Sequence, residues 1–229
     1  FSVAGATARF TVPEEPAAPA GTFGPCVVRA DDPASPAPLG YGYDAGTITV
    51  PGTTPAVTLT PVDQGAQGTG YESDLPEGHE DLLPGGGALL TVSGDGGEDV
   101  AAFQGVVVAA EQVTVTTPSV GGFGSSASTA EDLTVTWNAG QGEEVLVTLS
   151  PLSDGFQPEA GFAMVCTLPE DNGSFTVPKA ALEMVRDGDD SRNTALGVTR
   201  IRFGDADAGG VPVTLRATRS SGGLLKLTE

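Results

Sequence analysis

One histidine, two cysteines, and thirty carboxylic acids against ten basic side chains set the chemistry open to this chain. His79 stands in the run from Tyr71 to Asp81, YESDLPEGHED. A serine hydrolase would need a nucleophile on a sharp strand-to-helix turn, and no G-x-S-x-G occurs. Zinc would need several nitrogen or sulfur ligands, and a single imidazole beside Glu77, Glu80 and Asp81 falls short. The plain reading of this stretch is a solvated loop. The acidic segment Asp187-Gly-Asp189-Asp190-Ser191-Arg192-Asn193 resembles a calcium loop only in part. In the EF-hand spacing, the turn glycine would fall on Arg192 and the bidentate acid on Val198. Calcium held between strands by Asp187, Asp189, Asp190, Asp205 and Asp207 stays open, against a solvated acidic turn. Glycoside hydrolysis needs two carboxylates across a sugar site. Such sites usually carry exposed aromatics, and this chain has Trp137, which its pattern sends to the core, and Tyr41, Tyr43 and Tyr71 in loops. The expectation is no enzyme, and no cofactor unless calcium.

Cys26 and Cys166 lie far apart and form no C-x-x-C, which argues against zinc. They either pair, as in an exported protein, or pack as two buried thiols. A formal net charge of −20 argues against nucleic acid and against docking on anionic membranes. No stretch approaches the roughly 18 apolar residues of a spanning helix, so membrane insertion is not expected. The chain opens at Phe1 with neither an initiator Met nor the parts of a signal peptide. It is expected to be a mature extracellular or cell-surface protein.

The elements that must position these residues read as strands. The 33 Gly and 18 Pro punctuate short runs rich in Val and Thr, which suit a pleated, half-buried surface. The clearest stretch is residues 132–151, DLTVTWNAGQGEEVLVTLSP. Leu133, Val135 and Trp137 share one face, as do Val145, Val147 and Leu149 after the loop, and the period of two predicts an antiparallel hairpin. Residues 47–50 and 56–60 flank Pro51-Gly52 as another hairpin. Strands at 88–93, 100–109 and 112–117 follow the long polar loop 63–87. Asn172-Gly173 between 161–168 and 174–177 predicts a hairpin turn. Residues 178–186 form one short helix, with Pro178 at its first position and Ala181, Leu182 and Val185 on one face. Strands at 197–203, 211–218 and 224–227 complete the chain. Residues 57–61 and 147–151 are weakly repeated, though VTL recurs at 213–215. The Gly/Ser-rich segment near residues 119–130 reads as a linker. The expectation is all-β: two tandem antiparallel β-sandwich domains, 22–118 and 131–229, behind an N-terminal strand and Pro-rich spacer at 1–21.

The strand Leu133-x-Val135-x-Trp137 resembles the B strand of fibronectin type III and related immunoglobulin-like domains. The chain also looks like secreted bacterial β-sandwich proteins of uncharacterised function. The resemblance implies an immunoglobulin-like fold and transfers no catalytic residue. The usual cysteine pair within one such domain is missing here.

Charge is distributed unevenly. Residues 1–118 carry 15 acids and two bases, whereas residues 119–229 carry 15 acids and eight bases. Arg200 and Arg202 share a strand face opposite Ile201 and Phe203, and Arg216 points away from Val213 and Leu215. If the strands pair, the three arginines are expected to form a basic stripe on the solvent face, the plain alternative being local charge balance. The first strand, with Phe1, Val3, Phe10 and Val12, stands apart from the body behind Pro13, Pro16 and Pro19. It is expected to complete the sheet edge of a neighbour. The function expected is structural or adhesive, with self-association or other surface proteins as partners and a calcium- or glycan-binding module as the alternative.

Overall fold

The computed structural model describes residues 2–5, 18–31, 42–73, 82–120, 125–153, 157, 160–186 and 193–229, with backbone alone at 2–5 and 31. Sixteen strands and one α-helix occupy them. The strands of the first half are β1 (Ser2–Gly5), β2 (Gly21–Phe23), β3 (Cys26–Asp31), β4 (Ile48–Val50), β5 (Val57–Asp63), β6 (Thr69–Ser73), β7 (Leu89–Gly94), β8 (Phe103–Val108) and β9 (Val115–Thr117). Those that follow are β10 (Ser126–Ser128), β11 (Leu133–Trp137), β12 (Glu144–Leu152), β13 (Gly161–Leu168) and β14 (Ser174–Val177). Helix α1 (Lys179–Arg186) precedes β15 (Asn193–Ala208) and β16 (Val211–Thr228).

Thirteen strands join in one sheet, whose main path runs β2-β3-β13-β12-β15-β8-β7-β4-β5-β6. Beside β15 runs β16, and β1 and β10 pair with β16. A small sheet, β14-β11-β9, stands separately. Pairing is antiparallel throughout except between β10 and β16.

Two hydrophobic cores lie along this sheet. In the first, Val135, Trp137 and Val177 of the small sheet and Ala181, Leu182 and Val185 of α1 pack on Val145, Val147, Leu149, Met164 and Val198. The second gathers Ile48, Val57, Leu59, Leu90, Phe103 and Val107 with Val213, Leu215 and Ala217. The β15–β16 hairpin serves both, because its strands run 16 and 18 residues. Its tip is the two-residue loop Gly209-Gly210, where φ of 68° and 96° requires glycine and fits a type I′ turn.

Several expectations meet the structure directly. The β4–β5 hairpin forms as predicted, and the strands expected at 88–93, 100–109, 197–203 and 211–218 are found, β7 pairing with β8 and β15 with β16. The separate strand expected at 224–227 is instead the end of β16. The helix covers Lys179–Arg186 and buries Ala181, Leu182 and Val185. The stretch 132–151 is not a hairpin. Its first strand, β11, pairs with β14 and β9, while β12 pairs with β13 and β15, so the loop between them turns from one sheet to the other. Asn172-Gly173 is likewise a corner between sheets, since β13 and β14 do not pair with each other. Period-two burial is the same for a hairpin and for such a corner. Strand β3 pairs with β13, so residues on opposite sides of the 119–130 segment share one ladder and one core.

Candidate functional site

The most concentrated polar chemistry lies where the two cores meet. Alternation along β15 places Leu196, Val198 and Arg200 on one face, and register sets Arg200 opposite Arg219. Both arginines are buried, Arg200 completely. Arg200 Nε donates to Asp171 Oδ2 at 2.5 Å. Its Nη1 donates to the carbonyls of Glu111 and Gln112 at 3.1 and 3.0 Å, and Nη2 to that of Asn138 at 2.6 Å. Trp137 Nε1 donates to the other carboxylate oxygen, Asp171 Oδ1, at 2.7 Å. Arg219 reaches Gln112 Oε1 and the carbonyls of Leu83 and Pro84 at 2.8, 2.7 and 3.2 Å. The guanidinium of Arg200 packs so closely over Gly140 that a Cβ there would collide with it. Together the two arginines tie the segments 83–84, 111–112, 138–140 and 171 to one hairpin. This is a desolvated charge network whose donors point at carbonyls and a carboxylate, and its geometry performs structural work.

Burial alone would raise the Asp171 carboxyl. Hydrogen bonds from Arg200 and Trp137, with the charge of Arg200, outweigh it and hold the group below its ordinary value. A depressed carboxylate stabilises the fold above its unfolded pKa of about 3.9, and that contribution is lost as pH falls through the lower folded value. Acid unfolding monitored by Trp137 fluorescence is therefore expected to steepen below about pH 4. The Asp171→Asn chain, already weaker at neutral pH, should lose this part of the acid dependence.

The expected arginine stripe does not form. Arg200 and Arg202 lie on one face of β15, and Arg200 is enclosed. Register pairs Arg216 with Phe203, whose parity puts it on the opposite face. There the Arg216 guanidinium lies 5.2 Å from the centre of the Phe203 ring. Arg202 donates to the Gln141 carbonyl and stands 3.8 Å from Glu143 Oε1. Of the five aspartates considered for calcium, Asp187, Asp189 and Asp190 lie outside the described residues. Asp205 is exposed, and Asp207 Oδ1 accepts the Gly210 N–H at 2.9 Å within the hairpin turn. His79, Glu77, Glu80, Asp81 and Tyr41 also lie outside them, as do Phe1, Phe10 and Val12. Cys26 and Cys166 form a disulfide between directly opposed residues of β3 and β13.

Sequence reading missed an acidic cleft of about 420 Å³ lined by Asp44, Asp63, Glu98 and Asp99 with Gly65 and Thr69. The acids come from three places far apart in sequence, Asp44 before β4, Asp63 at the end of β5 and Glu98-Asp99 between β7 and β8, so no local spacing announces them. Their carboxylates are partly engaged. Asp99 Oδ2 accepts the Asp44 N–H at 2.9 Å, Asp44 Oδ1 the Gly46 N–H at 2.8 Å, and Asp63 Oδ1 the Gly65 N–H at 2.7 Å. Nearby, Tyr71 Oη accepts the Ala45 N–H at 2.7 Å. Burial first, then the charges of Asp44 and Asp99, raise the Tyr71 phenol above its ordinary value against that hydrogen bond. Among the described residues, no three carboxylate, imidazole or thiolate groups converge closely enough to hold a metal ion.

The second candidate is a sheet edge. One side of β16 is paired with β15 from Val211 to Lys226. On its other side, β1 covers Thr218–Ser221 and β10 covers Lys226–Thr228. Among the described residues, no strand pairs with that side from Val211 to Ala217. Along this edge Val213, Leu215 and Ala217 face the core, whereas Pro212, Thr214 and Arg216 are exposed. The pair next to a two-residue turn exchanges both its hydrogen bonds, so Pro212, Thr214 and Arg216 direct their backbone groups outward. Pro212 has no N–H to offer there, as suits proline on an edge.

These features define a disulfide-linked, mostly β protein with a buried arginine network, an acidic cleft and, among the described residues, a stretch of strand edge with no pairing strand. No protein-family model, curated relative or solved structure matches the chain. Among the described residues, no helix is long and apolar enough to cross a membrane.

Proposed function

We propose that this chain is a non-enzymatic structural or adhesive protein of the extracellular space or cell surface that self-associates through a sheet edge. The observation that carries the reading is the edge of β16, where β1 pairs with Thr218–Ser221 and, among the described residues, no strand pairs with that side from Val211 to Ala217. Unpaired N–H and C=O groups of this kind invite another strand. The Cys26–Cys166 disulfide supports an oxidising compartment, and the acidic surface supports solubility there. The two cores support a finer reading as two immunoglobulin-like β-sandwich units sharing the β15–β16 hairpin. The test is sedimentation and electron microscopy of the intact chain and of one lacking residues 1–12. Concentration-dependent assembly of the intact chain, lost on truncation, is expected. A monomer in both cases, or equal assembly, rejects it.

The acidic cleft favours a second reading, a calcium- or glycan-binding extracellular module. Calcium takes six to eight oxygen ligands, so Asp44, Asp63, Glu98 and Asp99 would have to close on the ion. This reading predicts that millimolar calcium raises the melting temperature by ligand linkage, less so in Asp63→Asn. An unchanged melting curve with calcium and with sugars removes it.

A further inference from the structure

We propose that Asn172, at the corner between β13 and β14, is a site of spontaneous succinimide formation, and that the isoaspartate it yields loosens the buried network of Asp171, Trp137 and Arg200.

The chain holds three asparagines, and the fold treats them differently. Asn138 is clamped: its Oδ1 accepts the Thr114 N–H at 2.6 Å, and its Nδ2 donates to the Gln112 carbonyl at 2.8 Å. Asn193 lies in β15 between Leu152 of β12 and Lys226 of β16. The residue after it, Thr194, is β-branched and buried. Asn172 is exposed, lies outside any strand and is followed by Gly173. Its Nδ2 donates to Glu170 Oε2 at 3.4 Å, a long contact at the surface. Among the described residues, the Gly173 N–H donates to no acceptor.

Asparagine is among the thermolabile side chains, and its reaction here needs only the chain and water. The Gly173 main-chain nitrogen gives up its proton and attacks Asn172 Cγ. A C–N bond forms, the Cγ–Nδ2 bond breaks, and Nδ2 leaves as ammonia. Water then opens the cyclic imide. Opening at Cγ leaves aspartate, whereas opening at the Asn172 main-chain carbonyl leaves isoaspartate, with the chain running through Cβ and Cγ. One water enters, one ammonia leaves, and nothing is oxidised or reduced. A side chain on the following residue hinders the attack, and glycine has none. The corner demands that glycine. Its φ of 73° lies in the left-handed region, and a Cβ there would stand 3.1 Å from both Ala139 Cβ and the Trp137 carbonyl oxygen. The residue the fold requires is thus the one that opens Asn172 to attack.

The position of Asn172 gives the product its consequence. Asp171, just before it, accepts from Arg200 Nε and Trp137 Nε1. Gly173, just after it, accepts the Trp137 N–H at its carbonyl, at 2.9 Å. Asn172 therefore bridges two residues that are both fixed to the end of β11. Isoaspartate lengthens that bridge by one methylene. It also leaves a carboxylate beside Asp171 and Glu170, where the parent has an amide donor, and like charges repel. Both changes act against the seat of the Asp171 carboxylate.

The test stores the folded, disulfide-linked chain at mildly alkaline pH for several weeks and maps its peptides by chromatography and mass spectrometry. Conversion of Asn172 to isoaspartate and aspartate, with isoaspartate the larger share, is expected, while Asn138 and Asn193 persist. Asn172 that persists in the folded chain overturns the site; conversion only in the urea-unfolded chain would show that the fold protects it. Equal conversion at Asn138 or Asn193 overturns the selectivity assigned to the fold. The consequence is read by thermal melting of the stored chain, followed through Trp137 fluorescence. Stored Asn172→Gln is the control, since glutamine closes such a ring far more slowly. A lower-melting population that grows in step with isoaspartate, and is missing from the control, is expected. Isoaspartate without such a population, or an equal loss in the control, overturns the link to the network.

Discussion

Replacing Arg200 by methionine is expected to destabilise the fold by about 3–5 kcal/mol, the range for breaking one side of a buried ion pair. The side chain is fully enclosed, and Asp171 is exposed by 1% at its side chain. Removing the guanidinium would leave a buried carboxylate with Trp137 Nε1 as its remaining side-chain donor. The carbonyls of Glu111, Gln112 and Asn138 would lose a shared donor at the same time. For a chain of this length each kcal/mol moves the melting temperature by about 2–4 °C, so the expected drop is roughly 6–20 °C. Asp171→Asn should cost less, because the amide oxygen can still accept one of the two hydrogen bonds. The double variant should cost less than the sum of the singles, the mark of groups acting in one network. Additive losses would show that Arg200 and Asp171 stabilise the protein independently, contrary to the geometry.

The same residue shows what the sequence could disclose. Leu196, Val198 and Arg200 alternate on one strand face, and parity alone sends Arg200 to the core. Charge argues for solvent. Parity prevails because Asp171 and three main-chain carbonyls, 29 to 89 residues away in sequence, are folded around it. Local signals were enough where strands adjoin in sequence. Pro51-Gly52 marks the β4–β5 turn, and the spacing of Ala181, Leu182 and Val185 the helix. Trp137 was legible as core by its alternation with Val135 and Leu133. The corner between β11 and β12 was not, because its cause is remote: the Asn138 carbonyl is held by Arg200, and the Asn138 side chain by the backbone at residues 112 and 114. The candidate sites fall on the same side of that line. The cleft collects Asp44, Asp63 and the adjacent Glu98 and Asp99 from three stretches far apart in sequence. The open edge becomes visible only when register shows which side of β16 is already taken.

The second large effect is expected at Cys26 and Cys166. Their disulfide spans 140 residues, and in the chain-entropy model a loop of that length restricts the unfolded state by about 5 kcal/mol. Measured contributions are commonly nearer 2–4 kcal/mol. Both half-cystines are fully buried in the first core, so their replacement also leaves space among Val28, Val147 and Met164. The Cys26→Ala/Cys166→Ala chain is therefore expected to melt about 5–15 °C lower. A reductant that reaches the bond should lower the melting temperature of the parent and leave that of the double variant unchanged. The loss should also be uneven. Strand β2 is held in the sheet through β3, and β3 joins the rest through its ladder with β13, which begins at the disulfide. Hydrogen exchange in the double variant should accelerate most at residues 21–31, while amides of the β7–β8 pair keep their protection relative to global unfolding. Uniform acceleration would mean that the crosslink acts on the unfolded chain alone. Acceleration confined to β2 and β3 would mean that it also pins this edge of the sheet.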